Sequence, residues 1–176
     1  MRLTPSLLVS AALMGILLAH GCSTVSSSVM VPDTVRIEKA LGGTIRIEAA
    51  GSPKRAFVGK PLVTGEALSS AVRDAIMAAG LFDETVDSGI SDRILTVTIE
   101  RLDEPEIGLD QTCEVAMRWR LLTGDRSRTL WEELITTKTT INTYEERDTE
   151  MRAVRAIEGA LKSNVRRGLE RMSHAG

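Results

Sequence analysis

The sequence has few of the residues that build catalytic and metal sites. It holds two cysteines and two histidines, and one of the histidines, His174, lies two residues before residue 176, the last of the sequence. A catalytic triad needs an imidazole held firmly by its neighbours, and a zinc site needs several His or Cys ligands at a fixed spacing. The sequence shows neither arrangement and no glycine-rich phosphate loop. It therefore predicts a protein that is not an enzyme and that binds no metal or other cofactor.

Strong positive charge and long apolar runs are also missing. The formal net charge is −2, whereas a nucleic-acid partner requires a concentrated positive field, so we expect no nucleic-acid binding. The apolar run over residues 7–19 is shorter than the roughly 20 residues that a membrane span needs. A basic start at Arg2, a short apolar run and small residues after it are typical of a secretory signal. We predict a signal peptide over residues 1–21.

Cys22 follows Gly21 directly and resembles the lipobox cysteine of bacterial lipoproteins. In that class the signal peptidase leaves the cysteine as the new N-terminus, and its thiol carries a diacylglycerol. The resemblance implies lipidation at Cys22 and a membrane anchor. In the sorting scheme of this class an Asp after the cysteine favours retention in the inner membrane, so Ser23 favours the periplasmic face of the outer membrane. An ordinary signal peptide that is cut nearby is the alternative.

The other cysteine, Cys113, lies in an alternating segment and shares its parity with Val115, Met117 and Trp119. This pattern predicts that Cys113 is buried as a small apolar residue. Pairing with a cysteine of another chain is the alternative.

The remaining sequence predicts one domain. Residues 22–33 are rich in serine and end near Pro32, which predicts a flexible tether. We place the domain over residues 34–172 and a short tail over 173–176. Residues 34–38 and 44–49 alternate on either side of Gly42 and Gly43, which predicts a β-hairpin.

Further along, Thr64 is a predicted N-cap for a helix that ends at Ala79, with Gly80 as its left-handed stop. Alternation over 93–102, 111–122 and 128–140 predicts an antiparallel meander, with a bulge between Trp131 and Leu134. Helical periodicity over 146–172 predicts a second helix. The expected fold is α+β, a two-layer sandwich. Its antiparallel sheet consists of the hairpin and the meander, packed against two helices on one face.

Two charged regions are candidate sites. The second predicted helix carries Arg155, Lys162 and Arg166 on one face, joined by Arg152, Arg167 and Arg171. This face predicts contact with anionic lipid head groups or with an acidic partner, and a solvated face of an amphipathic helix is the alternative. The loop after residue 102 collects four carboxylates, at Asp103, Glu104, Glu106 and Asp110. They fit a cation site or the acid–base pair of a hydrolase, and a solvated acidic loop is the alternative.

Four local features are similar to a group of small Gram-negative envelope lipoproteins. They are LSSAVRDAIMAAGLF, ILTVTIERLDEP, the pair VAMRWRLLTG and TLWEELITTKT, and RAVRAIEGALKSNVRRGLERM. The group includes the YajG-like proteins, the auxiliary lipoproteins of lipid-transporting ABC systems and the LptE-like assembly lipoproteins. The resemblance implies a lipid-anchored periplasmic domain that works by binding other envelope components, without catalytic residues.

We therefore expect an accessory or assembly lipoprotein with two kinds of partner, the membrane through its anchor and an envelope protein. The alternative is a carrier of a lipid or small amphiphile. In that case a groove between sheet and helix, lined by Met117, Trp119 and Leu121, would hold the cargo.

Overall fold

The computed structural model describes residues 24–53, 62–106 and 108–175. The predicted signal peptide and Cys22 lie outside these residues. Within them the chain forms three helices and five strands, in the order α1 (Ser27–Met30), β1 (Thr44–Ala50), α2 (Gly65–Ala79), β2 (Glu84–Val86), β3 (Arg93–Asp103), β4 (Asp110–Thr123), β5 (Thr129–Asn142) and α3 (Thr149–His174).

The five strands form one open, mixed sheet in the order β2-β1-β3-β4-β5. Strand β1 runs parallel to both β2 and β3, whereas β3, β4 and β5 are antiparallel neighbours. The α+β class is confirmed, but the prediction of a purely antiparallel sheet is wrong. The chain leaves β1 through α2 before it returns to the sheet, and a helical crossover brings the next strand back in the parallel direction.

The predicted N-terminal hairpin is also wrong. Residues 34–38 form no strand, and their backbone turns toward α3 instead. The N–H of Arg36 donates to Glu170 Oε1 over 3.4 Å, and the N–H of Glu38 donates to Ser173 Oγ over 3.4 Å. The place beside β1 is taken by β2, a short strand that we did not predict from the sequence. Alternation predicted the strand over 44–49 correctly, but it did not identify the strands that pair with it.

The meander and the first long helix are as predicted. Strands β3, β4 and β5 pair in sequence, and each extends one or two residues beyond at least one of its predicted bounds. Helix α2 begins after Thr64, whose Oγ1 accepts from the N–H of Ala67 over 3.0 Å. It ends at Gly80, whose φ of 63° is the left-handed conformation that glycine adopts without strain. Register shifts occur at Leu130 and at Glu100, whereas the pairing between Trp131 and Leu134 is regular, so the predicted position of the bulge is wrong.

One apolar core joins α2 and α3 to a single face of the sheet. Its fully buried strand residues include Ile45, Leu95, Val97, Val115, Met117 and Trp119. Cys113 is buried in the same core, which confirms the prediction for this residue. Met30 of α1 is also fully buried there. Since the core reaches the segment before residue 34, the packed body begins earlier in the chain than the predicted domain.

Helix α3 packs on the sheet through large apolar residues and, beside them, through a second stripe of small and polar residues. At intervals of four residues it buries Arg152, Ala156, Ala160, Asn164 and Gly168. Of the six apolar residues that helical periodicity places on one face, Val154 is 36% exposed and the other five are buried, namely Ile157, Leu161, Val165, Leu169 and Met172. Small side chains bring the helix close to β4 and β5, and Thr137 Oγ1 donates to the carbonyl of Ala160 over 2.8 Å.

Candidate functional site

The segment over residues 24–38 lies along α3 from its first half to its last turn. Near the beginning, the N–H of Val25 donates to the carbonyl of Leu62 over 3.1 Å. Further along, Lys162 Nζ lies 3.3 Å from both carboxylate oxygens of Asp33. We predicted a flexible tether over 22–33. From residue 24 onward the structure shows a packed segment instead, because the apolar side chains of its valines and of Met30 meet the core.

This packing places the start of the described chain against the first half of α3. Thr24, Val25 and Leu62 form a mostly apolar cleft of about 210 Å³ with Val154 and Ile157 of α3. Only Ser23 separates Thr24 from Cys22. A lipid on Cys22 would therefore enter the membrane close to this cleft.

The three residues of the predicted basic face have different surroundings. Arg155 pairs with Glu146, with 3.2 Å between Nη2 and Oε2, and Lys162 pairs with Asp33. Arg166 is exposed and lines a cleft beside residues 34–38. Acidic residues from other segments thus interrupt the positive field that the helix sequence alone predicted. Of the three, Arg166 is the best placed to meet an external anion.

Arg166 shares its cleft with groups of both signs. The cleft of about 730 Å³ is lined by Arg36, Glu38, Glu170 and His174 as well. Glu38 Oε2 lies 2.5 Å from Nδ1 of His174, the last residue of α3. The histidine that a catalytic role would need is therefore paired with a surface carboxylate. This mixture of charges suits a polar contact with a protein better than tight capture of a small anion.

Arg152, which the sequence placed on the basic face, points inward. Its guanidinium donates to the carbonyls of Glu146, Arg147 and Gly108 over 3.0, 2.8 and 3.3 Å, and to Thr149 Oγ1 over 3.0 Å. It therefore fastens the loop before β4 and the loop after β5 to the first turn of α3. A four-residue spacing from Ala156 could have revealed this position, since it shares the buried stripe of the helix.

The predicted acidic loop lies at the same end of the sheet. Asp103, Glu104, Glu106 and Asp110 line an open cleft of about 360 Å³, together with Glu114 and Lys138. Within the described ranges, no three His, Cys, Asp or Glu side chains are grouped so that they would hold a metal ion. The arrangement gives no particular support to a cation site, and the lysine among the carboxylates makes the cleft mixed in charge.

The face of the sheet away from the core carries a lattice of ion pairs. Arg118 donates from Nε to Glu100 Oε1 over 2.5 Å and from Nη1 to Glu132 Oε1 over 3.2 Å. The hydrogen bond from Arg118 lowers the pKa of Glu100, and the same bond raises the pKa of Arg118. Related pairs join Arg120 to Glu132, Arg126 to Glu48, and Arg101 to Glu114 and Asp103. This face is charged but locally neutralised.

The groove expected for a lipid carrier is closed at its predicted lining. Met117, Trp119 and Leu121 are all buried in the core. A Cβ added at Gly168 would lie 2.4 Å from the ring of Trp119, so helix and sheet are in contact there. These three residues serve the core and leave no room for an amphiphile between the two layers.

No protein-family model and no curated protein matches this sequence. Solved structures match its fold. Protein XCC0632 from Xanthomonas campestris, of the family DUF330, is 17% identical with a TM-score of 0.60, and the match covers 83% of this chain and 92% of that one. Protein CT253 from Chlamydia trachomatis is 8% identical with a TM-score of 0.55, covering 76% and 97%. At these identities the likeness shows a shared fold alone.

A lipoprotein is also among the solved structures. Rare lipoprotein B from Shewanella oneidensis is 10% identical, with coverage of 74% of this chain and 94% of that one. Its TM-score of 0.46 is too low to carry an argument about this chain. In the part of the chain that the structure describes, no helix combines the length and the hydropathy of a membrane span.

Proposed function

We propose that the protein is a lipid-anchored, non-catalytic accessory lipoprotein on the periplasmic face of the outer membrane, where it binds another envelope protein. The observation that carries the proposal is Cys22, which follows a signal-like apolar run and Gly21. Three residues later, at Val25, the chain already packs against the core. An acylated Cys22 would thus hold a folded binding domain directly at the membrane.

The binding part of the proposal rests on Arg166. This side chain is exposed and faces a broad cleft of mixed charge at the C-terminal end of α3. Arg155 and Lys162 lie on the same helix, but each already forms an ion pair with an acidic residue of this chain. An acidic or polar segment of a partner would find Arg166 accessible without breaking an ion pair that the structure shows.

The first experiment is crosslinking of the full-length protein in intact cells, followed by mass spectrometry of the captured species. We expect one envelope protein to be captured reproducibly, and we expect Cys22→Ala to abolish both lipidation and capture. Membrane fractionation should place the native protein with the outer membrane. A native protein found in the cytoplasmic fraction would disprove the proposal.

A pair of neighbouring arginines separates specific binding from general charge. Arg166→Glu should lower capture of the partner severalfold, because it reverses the charge in the cleft. Arg167→Glu makes the same change of net charge at an exposed neighbour that does not line the cleft, and it should leave capture unchanged. Equal capture by both variants would rule out the Arg166 cleft as the binding surface.

A further inference from the structure

Large apolar side chains are exposed together at one end of the domain. Leu109 is 76% exposed, Tyr144 is 99% exposed and Met151 is 45% exposed. They belong to the loop before β4, the loop after β5 and the first turn of α3, which are the three segments that Arg152 fastens together. Exposed apolar residues that occur singly need no explanation, but several on one fastened surface mark a site of interaction.

The chain enters the domain at this same end. Val154, one turn beyond Met151 on α3, lines the apolar cleft that also contains Thr24 and Val25. Cys22 precedes Thr24 by two residues in the sequence, and two residues of fully extended chain reach about 7 Å at most. We call the surface formed by Leu109, Tyr144, Met151 and Val154 the anchor end.

We infer that the anchor end rests on the phospholipid bilayer, with these four side chains among the lipid head groups. This inference rests on the proposed function, because that proposal supplies the lipid on Cys22. A connection of two residues makes contact with the bilayer an intramolecular event at high effective concentration, so modest apolar contacts are sufficient. Tyrosine also suits this position, since its ring is apolar and its hydroxyl stays with the head groups.

The charges around the anchor end indicate which lipids it prefers. Carboxylates of Glu104, Glu106, Glu145 and Glu150 lie in the same loops and in the first turn of α3, and all four residues are exposed. Next to an anionic bilayer they would be repelled, and next to zwitterionic head groups they would not. The anchor end therefore favours a zwitterionic lipid such as phosphatidylethanolamine, in contrast to the anionic contact predicted from the basic helix face.

Quenching of a fluorophore by brominated lipid, compared between two matched positions of the protein, tests this orientation. The lipidated full-length protein is reconstituted into vesicles of phosphatidylethanolamine and phosphatidylcholine whose acyl chains are brominated near the head group. A fluorophore is attached at Met151→Cys or at Leu134→Cys. The two native side chains are 45% and 46% exposed, but Leu134 lies on the strand β5 of the meander. We expect severalfold stronger quenching at position 151 than at 134, and weaker quenching at 151 when anionic phosphatidylglycerol replaces the zwitterionic lipid.

The outcomes distinguish this inference from the proposed function. Equal quenching at both positions in protein that floats with the vesicles would overturn the orientation and leave the lipid anchor intact. Protein that does not float would overturn the anchor and the orientation together. Shielding of position 151 from an aqueous quencher without quenching by brominated lipid would mean that a protein or a second copy covers this end, which also overturns the inference.

Discussion

The two faces of the sheet hold neighbouring residues of one strand by different contacts, a buried hydrogen bond on the inner face and exposed ion pairs on the outer face. On β4, Trp119 faces the core and Arg118 faces outward. Trp119 is fully buried, and its Nε1 donates to Asn164 Oδ1 over 3.0 Å. Arg118 makes a shorter hydrogen bond to Glu100, of 2.5 Å, and one of 3.2 Å to Glu132, but it remains 37% exposed. Bond length alone would therefore rank the two residues in the wrong order of importance for stability.

The difference follows from access to water. A buried polar atom that loses its partner has no water to replace it, and the cost is about 1–3 kcal/mol for each such group. An exposed ion pair exchanges its partner for water and contributes about 0–1 kcal/mol. The inner face therefore determines whether α3 stays on the sheet, and the outer face contributes mainly solubility and protection of the open surface.

The largest effect should come from Asn164→Ala. The amide of Asn164 accepts from Trp119 and donates to the carbonyls of Val115 and Ile135, with Nδ2 also 3.2 Å from Thr137 Oγ1. Removal of the amide leaves the indole N–H and the two carbonyl groups buried without this partner. We therefore expect a loss of about 3–4 kcal/mol in the free energy of unfolding. Urea unfolding would measure it, with the neighbouring Ser163→Ala as a control that changes stability by less than about 0.5 kcal/mol. A loss below that of the control would contradict the role of the amide.

The next effect should come from Gly168→Ala. Alanine favours a helix over glycine by about 1 kcal/mol, so the substitution would stabilise an exposed helix position. At Gly168 the added Cβ would lie 2.4 Å from the ring of Trp119, and the ring is held by its bond to Asn164. We expect a net loss of about 2–3 kcal/mol, because overpacking outweighs propensity.

A second substitution identifies the cause of this loss. In the double variant Gly168→Ala with Trp119→Leu, the smaller side chain leaves room for the new methyl group. The combined loss should then be smaller than the sum of the two single losses, as measured by a double-mutant cycle. Additive losses would show that the ring of Trp119 is not what restricts Gly168.

These contacts show why the sequence predicted the meander well and the helix interface less well. Alternation along β3, β4 and β5 reflects burial on one face, and burial repeats every second residue wherever one face is covered. Helical periodicity found the large apolar residues that α3 buries from Ile157 onward, but a search for such side chains overlooks the small and polar stripe beside them, which includes Arg152 and Asn164.

The sequence failed to predict the surroundings of the candidate site residues for a different reason. The pairing of Lys162 with Asp33 and of Arg155 with Glu146 joins segments whose proximity depends on the tertiary fold. Local composition therefore predicted a basic face but could not reveal its acidic neighbours. The exposed end around Met151 and Tyr144 was missed for the same reason, because its members come from separate loops.

A smaller effect is expected from Arg118→Ala on the outer face. The variant removes the centre of the ion-pair lattice between β3, β4 and β5. Because its partners Glu100 and Glu132 can be solvated, we expect a loss of stability at low salt that is well below that of Asn164→Ala, and a smaller difference from wild type at high salt. Urea unfolding at two salt concentrations measures both. A loss as large as that of Asn164→Ala would show that the two faces contribute equally.

The smallest effect should come from acid titration of the turn between β4 and β5. The hydroxyl of Thr123, followed by the N–H and hydroxyl of Ser127, lowers the pKa of Asp125 from 3.8 to about 2. A carboxyl with a lower pKa in the folded state stabilises the fold above its unfolded pKa and loses this contribution as the pH falls through the folded value. Asp125→Asn should therefore be slightly less stable than wild type at neutral pH, and the difference should close between about pH 4 and pH 2. Urea midpoints across that range would measure this, and a difference that stays constant with pH would show that the charge of Asp125 contributes nothing to the turn.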